Sequence, residues 1–127
     1  MKKIVVDSSI IAEHLTTVNK ESMLRTLSKE YFCYTTVFNA IELFAVSNSL
    51  KETQAIEDAM SSLKVLGVHP KSAKNMAAIV SSSQRDFSAL IAGVCIESKL
   101  PIVTLNANRF SGIKKLEVYS IKDLAKR

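Results

Sequence analysis

Lys2-Lys3-Ile4-Val5-Val6-Asp7-Ser8-Ser9-Ile10-Ile11 is the stretch that decides how the rest of the chain reads. Consecutive apolar, mostly β-branched residues predict a short buried strand from Lys2 to Val6. Asp7-Ser8-Ser9 reads as a helix N-terminus, leading into Ile10-Ile11-Ala12-Glu13-His14-Leu15. A buried strand running directly into a helix is the opening of an α/β unit.

The same alternation continues downstream. Residues 20–30 predict a helix with Met23, Leu24 and Leu27 on one face, and Tyr31 to Tyr34 a second strand. Thr35 or Thr36 caps a third helix, whose apolar surface comes from Phe38, Ile41, Leu43, Phe44 and Val46. Ile56, Ala59, Met60 and Leu63 give residues 52–65 the spacing of an amphipathic helix. Leu66-Gly67-Val68 predicts a short strand, and a helix follows Pro70 and ends at Ser81-Ser82-Ser83. Ala89 to Ile96 is apolar all round, the pattern of a fully buried helix. Pro101-Ile102-Val103 and Glu117 to Ser120 predict two more strands, and residues 121–126 a last short helix. Short strands alternating with helices imply an α/β fold, a three-layer α/β/α sandwich around a short, mostly parallel sheet.

Length and composition agree. The 127 residues favour one domain over 1–127, long enough to bury a core without staples. Apolar residues make up 47% and aromatics only 6%, so the core is mainly aliphatic; three Gly and two Pro argue against an all-β chain rich in turns. Cys33 and Cys95 lie within apolar runs and read as free buried thiols rather than a disulfide framework or a thiolate metal site. Asp7, Ser8 and Ser9 break the first apolar run too early for a signal peptide, and no stretch approaches a membrane span, so a cytoplasmic protein with no membrane association is expected. The net charge is +5, of which residues 107–127 carry +4. A concentrated basic end suits a phosphate-rich or acidic partner, and equally a solvated helix face.

Three acids occupy unusual places. Asp7 follows the buried first strand, Glu42 interrupts the nearly apolar stretch Val37 to Val46, and Asp86 stands before the buried helix. An ionised carboxylate is costly to bury unless paired, and gathered carboxylates repel. A divalent cation resolves both, and oxygen-only donors suit Mg²⁺ or Mn²⁺. Each acid also has a simpler reading: Asp7 and Asp86 as helix N-caps, Glu42 as a solvent-facing or ion-paired side chain. Spacing alone does not choose. In open parallel sheets, ligands bind beyond the carboxyl ends of the strands, which is where Asp7 and Asn106 fall.

Together, four segments resemble the PIN-domain family, in particular the VapC toxins of toxin–antitoxin pairs. They are Val5-Val6-Asp7-Ser8-Ser9-Ile10-Ile11, Thr35-Thr36-Val37-Phe38-Asn39-Ala40-Ile41-Glu42-Leu43, Ala89-Leu90-Ile91-Ala92-Gly93-Val94-Cys95-Ile96-Glu97, and Leu100-Pro101-Ile102-Val103-Thr104-Leu105-Asn106 followed by Phe110-Ser111-Gly112-Ile113. The resemblance spans nearly the whole chain. It implies a metal-dependent endoribonuclease in which Asp7 and Glu42 hold Mg²⁺ and activate a water. Asn106 supports the metal or touches the scissile phosphate, and Ser9 and Thr104 orient the carboxylates. It also implies an RNA substrate, a homodimer and a cognate antitoxin; the apolar face of 37–46 or of 52–65 could serve such contacts. The sequence departs from the family once: the position of the third acid, three residues before Ile91, holds Ser88. Either Asp86, just outside the helix, supplies the missing catalytic and metal ligand, or Asp86 is a cap and the site is weakened.

Other chemistries lack their residues. His14 and His69 show no ligand spacing, and neither a Gly-x-Ser-x-Gly elbow nor a Gly-rich phosphate loop is present. The alternatives to the nuclease are a degenerate PIN domain that binds RNA or protein without cleaving and, more remotely, a response-regulator-like domain.

Overall fold

A computed structural model describes residues 1–125. Five strands, β1 (Lys2–Val6), β2 (Tyr31–Thr36), β3 (Lys64–Leu66), β4 (Ile102–Val103) and β5 (Val118–Tyr119), form one sheet in the order β3-β2-β1-β4-β5. Every pairing is parallel, with Ile4 opposite Cys33 and Val5 opposite Ile102. The crossovers contain helices α1 (Ser8–Thr16), α2 (Met23–Ser28), α3 (Val37–Ala45), α4 (Leu50–Ser61), α5 (Ala73–Ser82) and α6 (Phe87–Ser98), and α7 (Ile121–Ala125) follows β5. Single 3₁₀ turns stand at Pro70–Ser72 and Ala107–Phe110.

The pleat of β1 divides the core in two. Ile4 and Val6 pack with Ile10, Ile11, Leu24, Leu27, Ile56, Ala59 and Leu124 on one face of the sheet. Val5 points the other way, toward Ile91, Ala92 and Cys95 of α6 and toward Phe110, Ile113 and Leu116. A strand covered on both faces needs apolar residues in succession, which is why Ile4-Val5-Val6 shows no polar alternation. The result is the expected α/β/α sandwich, with a sheet that is wholly rather than mostly parallel.

Several boundaries differ from the sequence reading for local reasons. The helix expected over 20–30 begins only after Ser22, whose hydroxyl accepts from Arg25 N. Strand β2 runs on to Thr36 because Thr35 and Thr36 pair with Val65 and Leu66; Thr36 alone therefore caps α3. Ser49 starts the helix expected at 52, which ends at Ser61 and frees Lys64 to Leu66 for the strand expected at 66–68. Pairing with β4 selects only Val118 and Tyr119 from the strand expected at 117–120. Of the last helix expected over 121–126, Ile121–Ala125 is helical and Lys126 lies outside the described residues.

Both cysteines are free. Burial, reinforced by the charge of Asp7, pushes the Cys95 thiol up to about 12, so it behaves as an apolar core residue. Among the described residues, no helix is long and apolar enough to cross a membrane.

Gly93 sets the distance between α5 and α6: a Cβ there would lie 2.9 Å from Met76 Cε and 3.2 Å from Cγ. Gly93→Ala is expected to change stability by no more than about 1 kcal/mol, because the helix-propensity gain offsets the shift of a flexible methionine. Gly93→Val, which adds two further methyl groups beside Met76, is expected to cost about 1–3 kcal/mol in urea denaturation.

Candidate active site

Chain order creates the site. β1 lies between β2 and β4, so the crossover direction reverses there and leaves a crevice at the carboxyl ends of β1 and β4. Asp7 follows β1 at this point and Thr104 follows β4. The Asp7 amide donates to Val103 O at 3.0 Å, locking the two strand ends together.

Asp7 stands at the N-cap position of α1, yet its side chain makes no capping bond. It is fully buried, and its oxygens are held by four side chains. Oδ1 accepts from Asn39 Nδ2 (2.9 Å) and Arg109 Nη1 (3.1 Å). Oδ2 accepts from Thr104 Oγ1 (2.8 Å) and Ser9 Oγ (3.2 Å). A carboxylate that served only as a cap would face its own helix; this one is turned into the crevice.

Glu42 reaches the same place from α3. Ser8 Oγ donates to its Oε1 at 2.8 Å, and Arg109 donates to Oε1 from Nη1 (3.3 Å) and to Oε2 from Nη2 (2.6 Å). Asn39 stands three residues before Glu42, on the same face of α3. Its Oδ1 closes a capping box with Thr36, and its Nδ2 bridges Asp7 Oδ1 and Ser8 Oγ, both at 2.9 Å. The buried amide thus ties the start of α3 to the start of α1.

Arg109, on the 3₁₀ turn after β4, completes the cluster. Its Nε donates to Ser88 Oγ at 2.7 Å, and the guanidinium carbon lies 5.2 Å from the centroid of the Phe110 ring. Burial opposes its charge, but the hydrogen bonds and charges of Glu42 and Asp7 prevail and raise its pKa above the ordinary value. Among the described residues, no buried side-chain polar atom lacks a partner.

Of the residues singled out in the sequence, Asp7, Glu42, Ser9, Ser88 and Thr104 come together. Ser9 and Thr104 are bonded to each other (3.2 Å) as well as to Asp7. Asn106 sits at the exposed lip, where its amide donates to Thr104 Oγ1. Asp86 does not join them. It is exposed at the N-cap of α6, and its Oδ1 accepts from Ser88 N (2.9 Å) and Ala89 N (3.3 Å). Of the two readings of Asp86, this geometry is that of the cap: the first amides of a buried helix need an acceptor, and Asp86 supplies it. Among the described residues, no three His, Cys, Asp or Glu side chains are grouped to hold a metal.

Sequence reading missed Asn39 and Arg109. Asn39 carried a signal, an amide in an apolar helix one turn before Glu42. Arg109 carried none beyond its place in the basic end of the chain. A cleft of about 480 Å³ lined by Phe38, Val68, Met76, Val80 and Leu90 lies elsewhere, away from the carboxylates.

A family model described as PIN domain matches residues 4–116. No curated protein matches the sequence. Among solved structures, a chain of the DNA-bound VapBC of Salmonella typhimurium superimposes with a TM-score of 0.76 at 21% identity, covering 94% of this chain and 98% of that one. A chain of VapBC2 from Rickettsia felis, bound to a DNA fragment from their promoter, gives 0.74 at 18% identity, covering 92% and 97%. A chain of VapBC-1 from nontypeable Haemophilus influenzae gives 0.72 at 16%, covering 92% and 96%. At these identities the likeness shows a shared fold.

The capping role of Asp86 is checked by substitution. Asp86→Ala is expected to lower stability by about 1 kcal/mol, and Asp86→Asn by only a few tenths, since both native and amide side chains accept from helix amides. Urea denaturation of the two variants measures this.

Proposed function

The chain belongs to the PIN-domain family, and from that premise we propose that it is a metal-dependent endoribonuclease of the toxin type, hydrolysing RNA phosphodiester bonds. The observation that carries this reading is the convergence of Asp7 and Glu42 on one cationic position at the switch point of the sheet. In this structure that position holds the Arg109 guanidinium. The donors around it, two carboxylates and the Ser88 hydroxyl, are all oxygen. Such a set fits Mg²⁺, or Mn²⁺, which commonly binds through one or two carboxylates and fills its other positions with water and phosphate oxygens. When bound, the metal supplies Lewis acidity toward a phosphate and a water that ionises near neutral pH.

The chain's own residues do the positioning. Thr104 and Ser9 hold Asp7 Oδ2, which leaves Oδ1 aimed at the site. Asn39 fixes Asp7 relative to Ser8, and Ser8 in turn fixes Glu42. The exposure of Asn106 at the lip supports a contact from it to a substrate phosphate. Exposed Lys114 and Lys115 add positive charge for a polyanion.

Partners follow from the fold. The similar structures are of VapBC assemblies and other toxin–antitoxin complexes, which supports a cognate antitoxin for this chain. Burial favours one of the two candidate faces: α4 buries Ile56 and Ala59 in the core, whereas Ile41, Phe44 and Val46 on and after α3, and Leu50 at the start of α4, stay exposed. We assign this apolar face to a homodimer. Phe44→Asp is expected to convert the dimer to monomer in light scattering, without loss of helical circular dichroism.

A second reading, a PIN domain that binds RNA or protein without cleaving, is favoured by Ser88 in the third-acid position and by carboxylates already paired with an arginine. Cleavage of a panel of structured RNAs, with Mg²⁺ or Mn²⁺ and with EDTA, separates the two. The nuclease reading expects metal-dependent cleavage that falls to the EDTA level in Asp7→Asn and Glu42→Gln. It expects a loss of about 10- to 100-fold in Thr104→Ala, and none in Asp86→Asn. Absence of cleavage by folded, antitoxin-free protein would overturn the nuclease reading in favour of the binding module.

A further inference from the structure

Arg109 commits three nitrogens to the site: Nε to Ser88, Nη1 to Asp7 and Glu42, and Nη2 to Glu42. We propose that Arg109 is a built-in counter-cation that occupies the divalent-metal position between Asp7 and Glu42, so that metal binds only when its side chain withdraws. The inference rests on the metal-dependent reading of the same site and adds a self-capping device to it.

The competition is for the same atoms. Asp7 Oδ2 accepts from the hydroxyls of Thr104 and Ser9, and Oδ1 from the neutral amide of Asn39 and from Arg109 Nη1, so Oδ1 is the oxygen that already carries a cation. Both oxygens of Glu42 accept from the same guanidinium. A dication and a guanidinium sharing these oxygens would stand within a few ångströms in a half-buried site, where repulsion between like charges is poorly screened.

Charge balance explains why the arginine is there. The resemblance expects a third acid where Ser88 stands, and three gathered carboxylates repel one another unless a cation stands between them. Here the third acid is replaced by a hydroxyl that accepts from Arg109 Nε, and the arginine brings the cluster to a net charge of one negative unit. The site is thus complete within the chain. Withdrawal has solvent on one side: the Arg109 side chain keeps 19% of its surface exposed, the preceding residues 105–108 are exposed, and Phe110 is buried and anchors the turn. The side chain can swing while the backbone stays.

Mn²⁺ binding to the purified protein, followed by electron paramagnetic resonance and by melting temperature with Mn²⁺ or EDTA, tests this without reference to cleavage. Wild type is expected to bind weakly and to melt at the same temperature in EDTA. Arg109→Gln is expected to bind about tenfold tighter or more, since no charge-assisted pair has to be broken first, and to regain with Mn²⁺ the melting temperature it loses in EDTA. Adding Asp7→Asn to Arg109→Gln is expected to abolish that gain. Ser88→Ala removes only the Nε anchor and is expected to tighten binding by a smaller factor; it carries the test if Arg109→Gln does not fold. Equal Mn²⁺ affinity in wild type and variants would overturn the proposal while leaving the metal reading intact. A gain that survives Asp7→Asn would overturn it by placing the ion elsewhere. No Mn²⁺ binding by any folded variant would overturn both the proposal and the metal reading.

Discussion

A carboxylate with no exposure to solvent is among the most demanding features a domain of this size can contain, and Asp7 imposes that demand on every element around it. An ionised group removed from water needs donors on each lone pair and a positive charge nearby. Here the donors come from four separate segments: Ser9 from α1, Asn39 from α3, Thr104 from the end of β4 and Arg109 from the turn beyond it. The sheet order and the crossovers bring these segments to one point. Each oxygen accepts from two of these segments, so a shift of any one removes half of the bonding to that oxygen.

The same network passes the constraint outward. Asn39 accepts from Thr36, donates to Asp7 and donates to Ser8, so the cap of α3, the end of β1 and the start of α1 form one hydrogen-bonded unit. Ser8 carries it on to Glu42. Networks of this kind are stable only when every member is satisfied, and here every buried polar side-chain atom described is. Rigidity at the carboxylates follows from packing and hydrogen bonding together: the apolar layers hold the strands, and the polar network holds the side chains at their ends.

Arg109 changes what such a site is. A cluster of acids alone is a binding site waiting for a cation. With a guanidinium in place, half of the cluster's negative charge is neutralised from within the chain, and Ser88 accepts the arginine's Nε where an acid is expected. The one departure from the expected motif, Ser88, is therefore bonded to the same arginine that pairs both carboxylates. Asp86 takes no part in the cluster, because the first turn of α6 requires its carboxylate.

Local patterns carried most of the architecture. Ile4-Val5-Val6, the strand-to-helix junction at Asp7 and the all-apolar Ala89 to Ile96 determined strands, helices and the sandwich, since hydrophobic period and helix caps act over a few residues. They also marked Asp7 and Glu42 as carboxylates out of place, and Thr35 or Thr36 as a cap, though β2 pairing with β3 had to decide between the two. The partnership of those carboxylates was beyond them. Arg109 meets Asp7 across 102 positions and Glu42 across 67, and Asp86 prefers amides two and three residues away to acids distant in the chain. Which side chain satisfies a buried charge depends on where folding places the donors, and only the tertiary structure decides that.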